Sequence, residues 1–145
     1  MSENATYEDL LKRIQALEHE VSELKNTRRD LQTENMYFRK IFHSSPDSIT
    51  ISTVEDGKFI HVNDAFERMF GINRQSAIGK SSETLGLWPD KAVRKKMLIH
   101  LRKKDRFKKE GSVRNVEFQH RRASGELFDG SGSAELIEIQ GKAYI

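Results

Sequence analysis

The sequence contains no cysteine. That excludes disulfides, zinc thiolates, cysteine nucleophiles and cysteinyl–chromophore adducts. No apolar run approaches the roughly 20 residues that span a bilayer. The opening MSENATYEDLL lacks the basic and apolar regions of a secretory leader, so the chain is expected in the cytoplasm, with no membrane insertion. The formal charge is only +3, too small by itself to imply a nucleic-acid partner. No Ser/His/Asp order and no paired-carboxylate pattern stands out, so no catalytic residues and no metal site are expected. The two prolines, Pro46 and Pro89, fall where elements end or begin. With 145 residues, 36% apolar and 32% charged, the chain suits one domain with an appendage and a modest core.

What is present begins with an unbroken heptad over residues 10–42. The d positions are Leu10, Leu17, Leu24, Leu31 and Phe38, and the a positions are Ile14, Val21, Arg28, Asn35 and Phe42. Ile and Val at a with Leu at d favour a parallel two-stranded coil. In that arrangement g of one chain meets the following e of its partner. The pairs are Arg13–Glu18, Glu20–Lys25 and Glu34–Arg39, all attractive. The predicted dimer interface is therefore Leu10, Ile14, Leu17, Val21, Leu24, Arg28, Leu31, Asn35 and Phe38. The residues before the heptads are acidic (Glu3, Glu8, Asp9), which excludes a basic leucine zipper. Pro46 disfavours helix at Ser45, so the helix should end near His43, dividing the chain into residues 1–43 and 44–145.

The second part reads as α+β. SITIST and FIHVN are strands around the turn VEDGK. Asp64 and Glu67 have capping-box spacing, so Asp64 is a candidate cap for the helix AFERMFG, with Asn63 its rival. Gly71 stops that helix. NRQSAIGK is a further helical turn. A longer helix follows Pro89, with Val93, Met97 and Leu101 on one face. SVRNVEFQHRR, ELFDGSGSAELIEI and AYI are closing strands, and Val116, Phe118 and His120 share a face. Gly130 and Gly132 inside a strand predict a bulge or the close approach of another backbone, with the N-terminal helix as the candidate. Helices grouped between strand runs imply an antiparallel sheet.

IFHSSPDSITIST, DGKFIHVNDAFERMFG, AIGK, MLIHL, VEFQHRRASGELF and GKAYI resemble a PAS domain, in order and spacing, over about residues 41–145. Val62-Asn63, Ala65-Phe66 and Gly71 are similar to that family's strand-to-helix corner. The resemblance implies a five-stranded antiparallel sheet with helices across one face. It also implies a sensor or dimerisation module of a larger signalling protein, such as a histidine kinase or diguanylate cyclase. The final strand would be truncated, the effector domain would follow it, and this fragment would be non-catalytic. The relay would run between the PAS core and the coiled coil.

Ligand-pocket candidates are Ile51, Val62, Phe66, Phe70, Met97 and Phe118, since ligand pockets are largely apolar. No cofactor is specified by the sequence. Haem-binding relatives place a ligand histidine on the long helix, three residues after an arginine. Here Met97 follows Arg94 at that spacing, and His100 is the histidine available. Flavin without a thiol adduct would have Trp88 as a stacking partner. IGKSS is not a phosphate loop, because position 74 is Arg74 where glycine is needed. Ten Lys or Arg between Lys91 and Lys109 offer a face for nucleic acid or an acidic partner. They lack interleaved aromatics before Phe107 and surround the helix outside its apolar side, as a solvated face does.

Overall fold

Helix α1, Tyr7–Ser44, begins at a reciprocal cap. Thr6 Oγ1 accepts from the Asp9 amide at 3.3 Å, and the Asp9 carboxylate accepts from the Thr6 amide at 3.2 Å, covering two of the donors that a helix start leaves open. Glu8 and Asp9 stand in its first turn and His43 in its last, as the helix dipole favours. The computed structural model describes residues 6–102 and 111–145. The chain packs as two units, Met1–Ile41 and Phe42–Ile145. In the first, Leu10, Ile14, Leu17, Val21, Leu24, Leu31 and Phe38 are 47–62% exposed. Phe42, placed in the coiled-coil seam by the heptad, instead belongs to the second unit and is 6% exposed there. Its ring lies edge-on to His43 and His61. The heptad register cannot distinguish a seam residue from one claimed by the adjoining domain.

The second unit is α+β. Strands β1 (Thr50–Ser52) and β2 (Phe59–Val62) form an antiparallel pair with an irregularity between Ile51 and Ser52. Helices α2 (Asp64–Phe70), α3 (Arg74–Ala77) and α4 (Lys91–Arg102) follow. Asp90 Oδ1 accepts from the Ala92 amide at 2.7 Å at the start of α4. Strands β3 (Ser112–Arg121) and β4 (Leu127–Glu135) make a long hairpin, and β5 (Ile137–Ile139) and β6 (Lys142–Tyr144) a short one. The latter turns on Gln140 and Gly141, both with positive φ, the type I′ geometry that suits strand twist. The single strand predicted over 126–139 is therefore two. They part at Leu136, whose amide bonds to the Gly111 carbonyl at 2.8 Å as the last rung beside β3, and the chain then pairs with β6. Ser52 and Ile145 exchange two backbone bonds of 2.8 Å, joining β1 to the end of β6.

The core consists of Phe59, Val62, Phe66, Phe70, Ala77, Leu87 and Trp88, with Val93 and Met97 of α4 and Phe118 and Phe128 of the β3–β4 hairpin packed against it. Fully burying such side chains contributes about 1.5–3 kcal/mol each, which makes this cluster the main source of the unit's stability. No described helix is long and apolar enough to cross a membrane.

Candidate functional site: the strand-to-helix corner and the interior it closes

Asn63, not Asp64, caps α2. Its backbone is extended (φ −93°, ψ 176°) and its Oδ1 accepts from the Phe66 amide at 3.0 Å. The same oxygen accepts from the Ile49 amide at 3.0 Å. Nδ2 donates to the carbonyls of Phe42 at 3.0 Å and Asp47 at 2.9 Å. A side-chain amide has two donors and two acceptor lone pairs, and all four are used. This explains how Asn63 is fully buried without a desolvation penalty. Phe42 lies in the last turn of α1, where carbonyls lack helical partners. Asn63 therefore starts one helix and ends another. Gly71 closes α2 with φ 69°.

Asp64, freed from capping, faces two nitrogens. His43 Nδ1 lies 2.8 Å from its Oδ1 and Arg74 Nη2 lies 2.7 Å from the same atom. Nδ1 and Nη2 are themselves 2.9 Å apart. Partial burial opposes ionisation of Asp64, but the hydrogen bond and charge of His43, with those of Arg74, hold its carboxyl below the ordinary range. Arg74 is anchored by Nε to the Val62 carbonyl at 3.2 Å and by its own amide to Glu67 Oε1 at 2.6 Å. An open polar cleft lined by Glu67, Asn73, Arg74 and Gln75 adjoins it.

Of the six pocket candidates, Val62, Phe66 and Phe70 lie in the core cluster, and Met97 and Phe118 pack against it. Ile51 does not join them. Its cross-strand partner is His61, which is exposed, and directly paired residues share a face. His120, which the sequence places on the face of Val116 and Phe118 but not among the pocket candidates, joins this interior. Its ring sits among Phe70, Trp88, Phe118 and Phe128, at centroid distances of 5.2, 5.1, 4.6 and 5.5 Å. Burial pushes its pKa down, and a weak contact of Nδ1 with the Leu87 carbonyl at 3.4 Å only partly opposes this. The signal was its period-two alternation with Val116 and Phe118.

Gly132 is not the landing place of another backbone. A Cβ there would meet Phe118 Cζ at 2.7 Å, so the glycine makes room for a ring from the neighbouring strand. The bulge expected at the glycines falls instead on the neighbouring strand β3, between Val113 and Val116. Trp88 donates Nε1–H to Ser82 Oγ at 3.1 Å and packs 4.9 Å from Phe118. His100 is exposed on α4, and its Nδ1 contacts the Lys96 carbonyl of its own helix at 2.8 Å. It faces away from the aromatic interior. Within the basic run, Lys91 and Arg94 both pair with Glu83, at 3.4 and 3.2 Å. The stretch from Lys103 to Lys109, with Phe107, lies outside the described residues. Among the described residues no group of three or more His, Asp or Glu could hold a metal.

Comparison with known proteins gives this architecture its name. A search of curated proteins returns no match. Among solved structures, the PAS domain of an HTR-like protein from Haloarcula marismortui is 21% identical with a TM-score of 0.61, covering 83% of this chain and 93% of that one. A PAS domain from a two-component sensor histidine kinase is 18% identical, TM-score 0.56, covering 78% and 91%. The PAS domain of a LuxR-family transcriptional regulator from Burkholderia thailandensis, solved with ethanol, is 20% identical, TM-score 0.56, covering 74% and 91%. These likenesses establish the fold. The family model for the PAS domain matches residues 46–145, and with that match over most of its length the chain belongs to the PAS domain family.

Proposed function

We propose that this chain is the sensory and dimerisation module of a signal-transduction protein. Two copies pair through a parallel coiled coil of α1, and the PAS core passes a ligand- or partner-induced change to that coil. The observation that carries the reading is the regular stripe of half-exposed apolar side chains from Leu10 to Leu31, flanked by the charge pairs Arg13–Glu18, Glu20–Lys25 and Glu34–Arg39. Going from half exposure to burial contributes roughly 1 kcal/mol per side chain. Two such stripes together offset the several kcal/mol that association costs. A second copy fits because the flanking charges are complementary to themselves in parallel register.

The ligand, where one binds, is small and apolar and lies among Val62, Phe66, Phe70, Met97 and Phe118. His120 is the polar group nearest to hand. A haem reading gains nothing from His100, which is turned outward. A nucleic-acid reading loses two of its cations to Glu83. Catalysis, in this reading, belongs to effector domains of the parent protein.

Sedimentation equilibrium is the test. A dimer at micromolar concentration, with spin labels at position 15 close together across it, supports the reading. A monomer defeats it, and distant labels exclude the parallel arrangement. Absorbance near 400 nm that disappears in His100→Ala would replace this reading with a haem sensor.

A further inference from the structure

The contacts of His43 Nδ1 exceed what one nitrogen can make. It lies 2.8 Å from Asp64 Oδ1 and 2.9 Å from Arg74 Nη2, and those two atoms are 2.7 Å apart. The three atoms form a nearly equilateral triangle, so from Nη2 the other two corners subtend about 60°, whereas the two N–H bonds of a planar guanidinium nitrogen diverge by about 120°. Nη2 can aim well at one corner only. Likewise an imidazole nitrogen either donates or accepts. With a proton, Nδ1 can serve Asp64 and not Arg74. Without one it can serve Arg74, and then two lone-pair atoms face each other across 2.8 Å.

We propose that His43, Asp64 and Arg74 form a proton-operated latch at the strand-to-helix corner. A proton taken from solvent by His43 turns Nδ1 from acceptor of the Arg74 N–H into donor to Asp64, and swings Arg74 Nη2 toward Glu67.

Glu67 is the receiving group. Its Oε2 is 3.7 Å from Arg74 Nη2, close enough to attract and too far to be a full hydrogen bond. The swing needs little movement, because Nε stays on the Val62 carbonyl and the Arg74 amide on Glu67 Oε1. The guanidinium then pivots about a fixed point. The proton completes the charge balance of the cluster. With neutral His43 the cluster holds one guanidinium against the carboxylates of Asp64 and Glu67. With the proton, two cations balance two anions. The last turn of α1 also suits a cation. The charged and titratable groups facing His43 are Asp64 and, through Arg74, Glu67 from α2, Arg74 from α3, and His61 from β2 across the Phe42 ring. Histidine is the side chain whose ordinary charge change falls nearest neutral pH. Because α1 is one helix from Tyr7 to Ser44, the latch acts on the terminal turn of the helix that carries the heptads. The proposal adds protons as a stimulus and does not rest on the ligand reading above.

The test is nuclear magnetic resonance on the 15N-labelled full chain from pH 5 to 8, following the ring nitrogens of His43 and the Nε–Hε signal of Arg74. The expected result has neutral His43 protonated on Nε2, and the Arg74 signal shifting with the same midpoint as the His43 ring. In His43→Asn, which keeps an N–H toward Asp64 but does not titrate, the Arg74 signal should stay flat while other histidines titrate. Three results overturn the latch. They are a neutral His43 carrying its proton on Nδ1, an Arg74 signal that ignores the His43 titration, and an Arg74 shift that persists in His43→Asn. The first two are read on the unmodified chain, so they hold even where the variant does not fold.

Discussion

The side-chain amide nitrogen of Asn63 donates to the carbonyl oxygen of Phe42 across 3.0 Å, linking residues 21 positions apart. The amide oxygen on the same side chain holds the first turn of α2. The corner that looks empty of chemistry in the sequence is thus a joint between two helices, closed by one buried amide. Replacing Asn63 by Ala should cost about 3–5 kcal/mol, since four side-chain bonds are lost and buried backbone groups are left unpaired. Asn63→Ser, which retains an N-cap oxygen alone, should fall between. Urea unfolding followed by Trp88 emission measures both. A loss under about 1 kcal/mol for the alanine variant would show the corner to be held by packing alone.

Gly132 yields a second expectation. A methyl group there meets the Phe118 ring at 2.7 Å. Gly132→Ala should destabilise by roughly 1–3 kcal/mol through overpacking. It should also change Trp88 emission, because Phe118 packs 4.9 Å from the indole. Adding Phe118→Leu should recover part of the loss. An additive double mutant would separate the two sites.

Acid should weaken the second unit through His120. Burial lowers its folded pKa below the ordinary 6.5. The folded state therefore prefers the neutral ring, and the unfolded chain takes up a proton first. The associated stability is complete above pH 6.5 and is lost as pH falls from there toward the folded value. His120→Gln should flatten this part of the pH profile. Melting curves between pH 5 and 8 check it. A profile unaltered by the substitution would assign the acid sensitivity to other groups.

The coil carries two polar a positions, Arg28 and Asn35. Replacing both by Ile should raise the melting temperature of α1 pairing and loosen the choice of oligomer, since polar residues at a trade stability for register. In the full-length protein it should also hold the output in one state. Val21→Asp should do the reverse and shift the chain to monomer in sedimentation. A melting temperature that stays level or falls in the Ile variant would remove Arg28 and Asn35 from a seam. A higher melting temperature with an unchanged response to signal would make the coil a clamp and not a relay.

Local pattern was enough for much of this protein. The heptad from Leu10, the stop near His43, the Gly71 cap and the strand-to-helix corner follow from rules that act over four to seven residues, and such rules can be read along the chain. So can the aromatic spacing of Phe66 and Phe70, whose rings meet at 4.9 Å. Tertiary structure decided what these rules leave open. Asn63 and Asp64 are both good caps in sequence. Asn63 takes the role because only an amide can also donate to Phe42 and Asp47, and the freed Asp64 carboxylate then faces His43 and Arg74. The heptad claims Phe42 for the seam, but the second unit buries it. Alternation alone cannot tell which face of β1 turns inward, and pairing with His61 sets Ile51 on the outer one. Strand continuity through Leu136 depended on which strands the two halves pair with: residues up to Glu135 pair with β3, and Ile137–Ile139 pair with β6. In each case the choice was made by a partner far away in the chain, and sequence periodicity carries no term for such a partner.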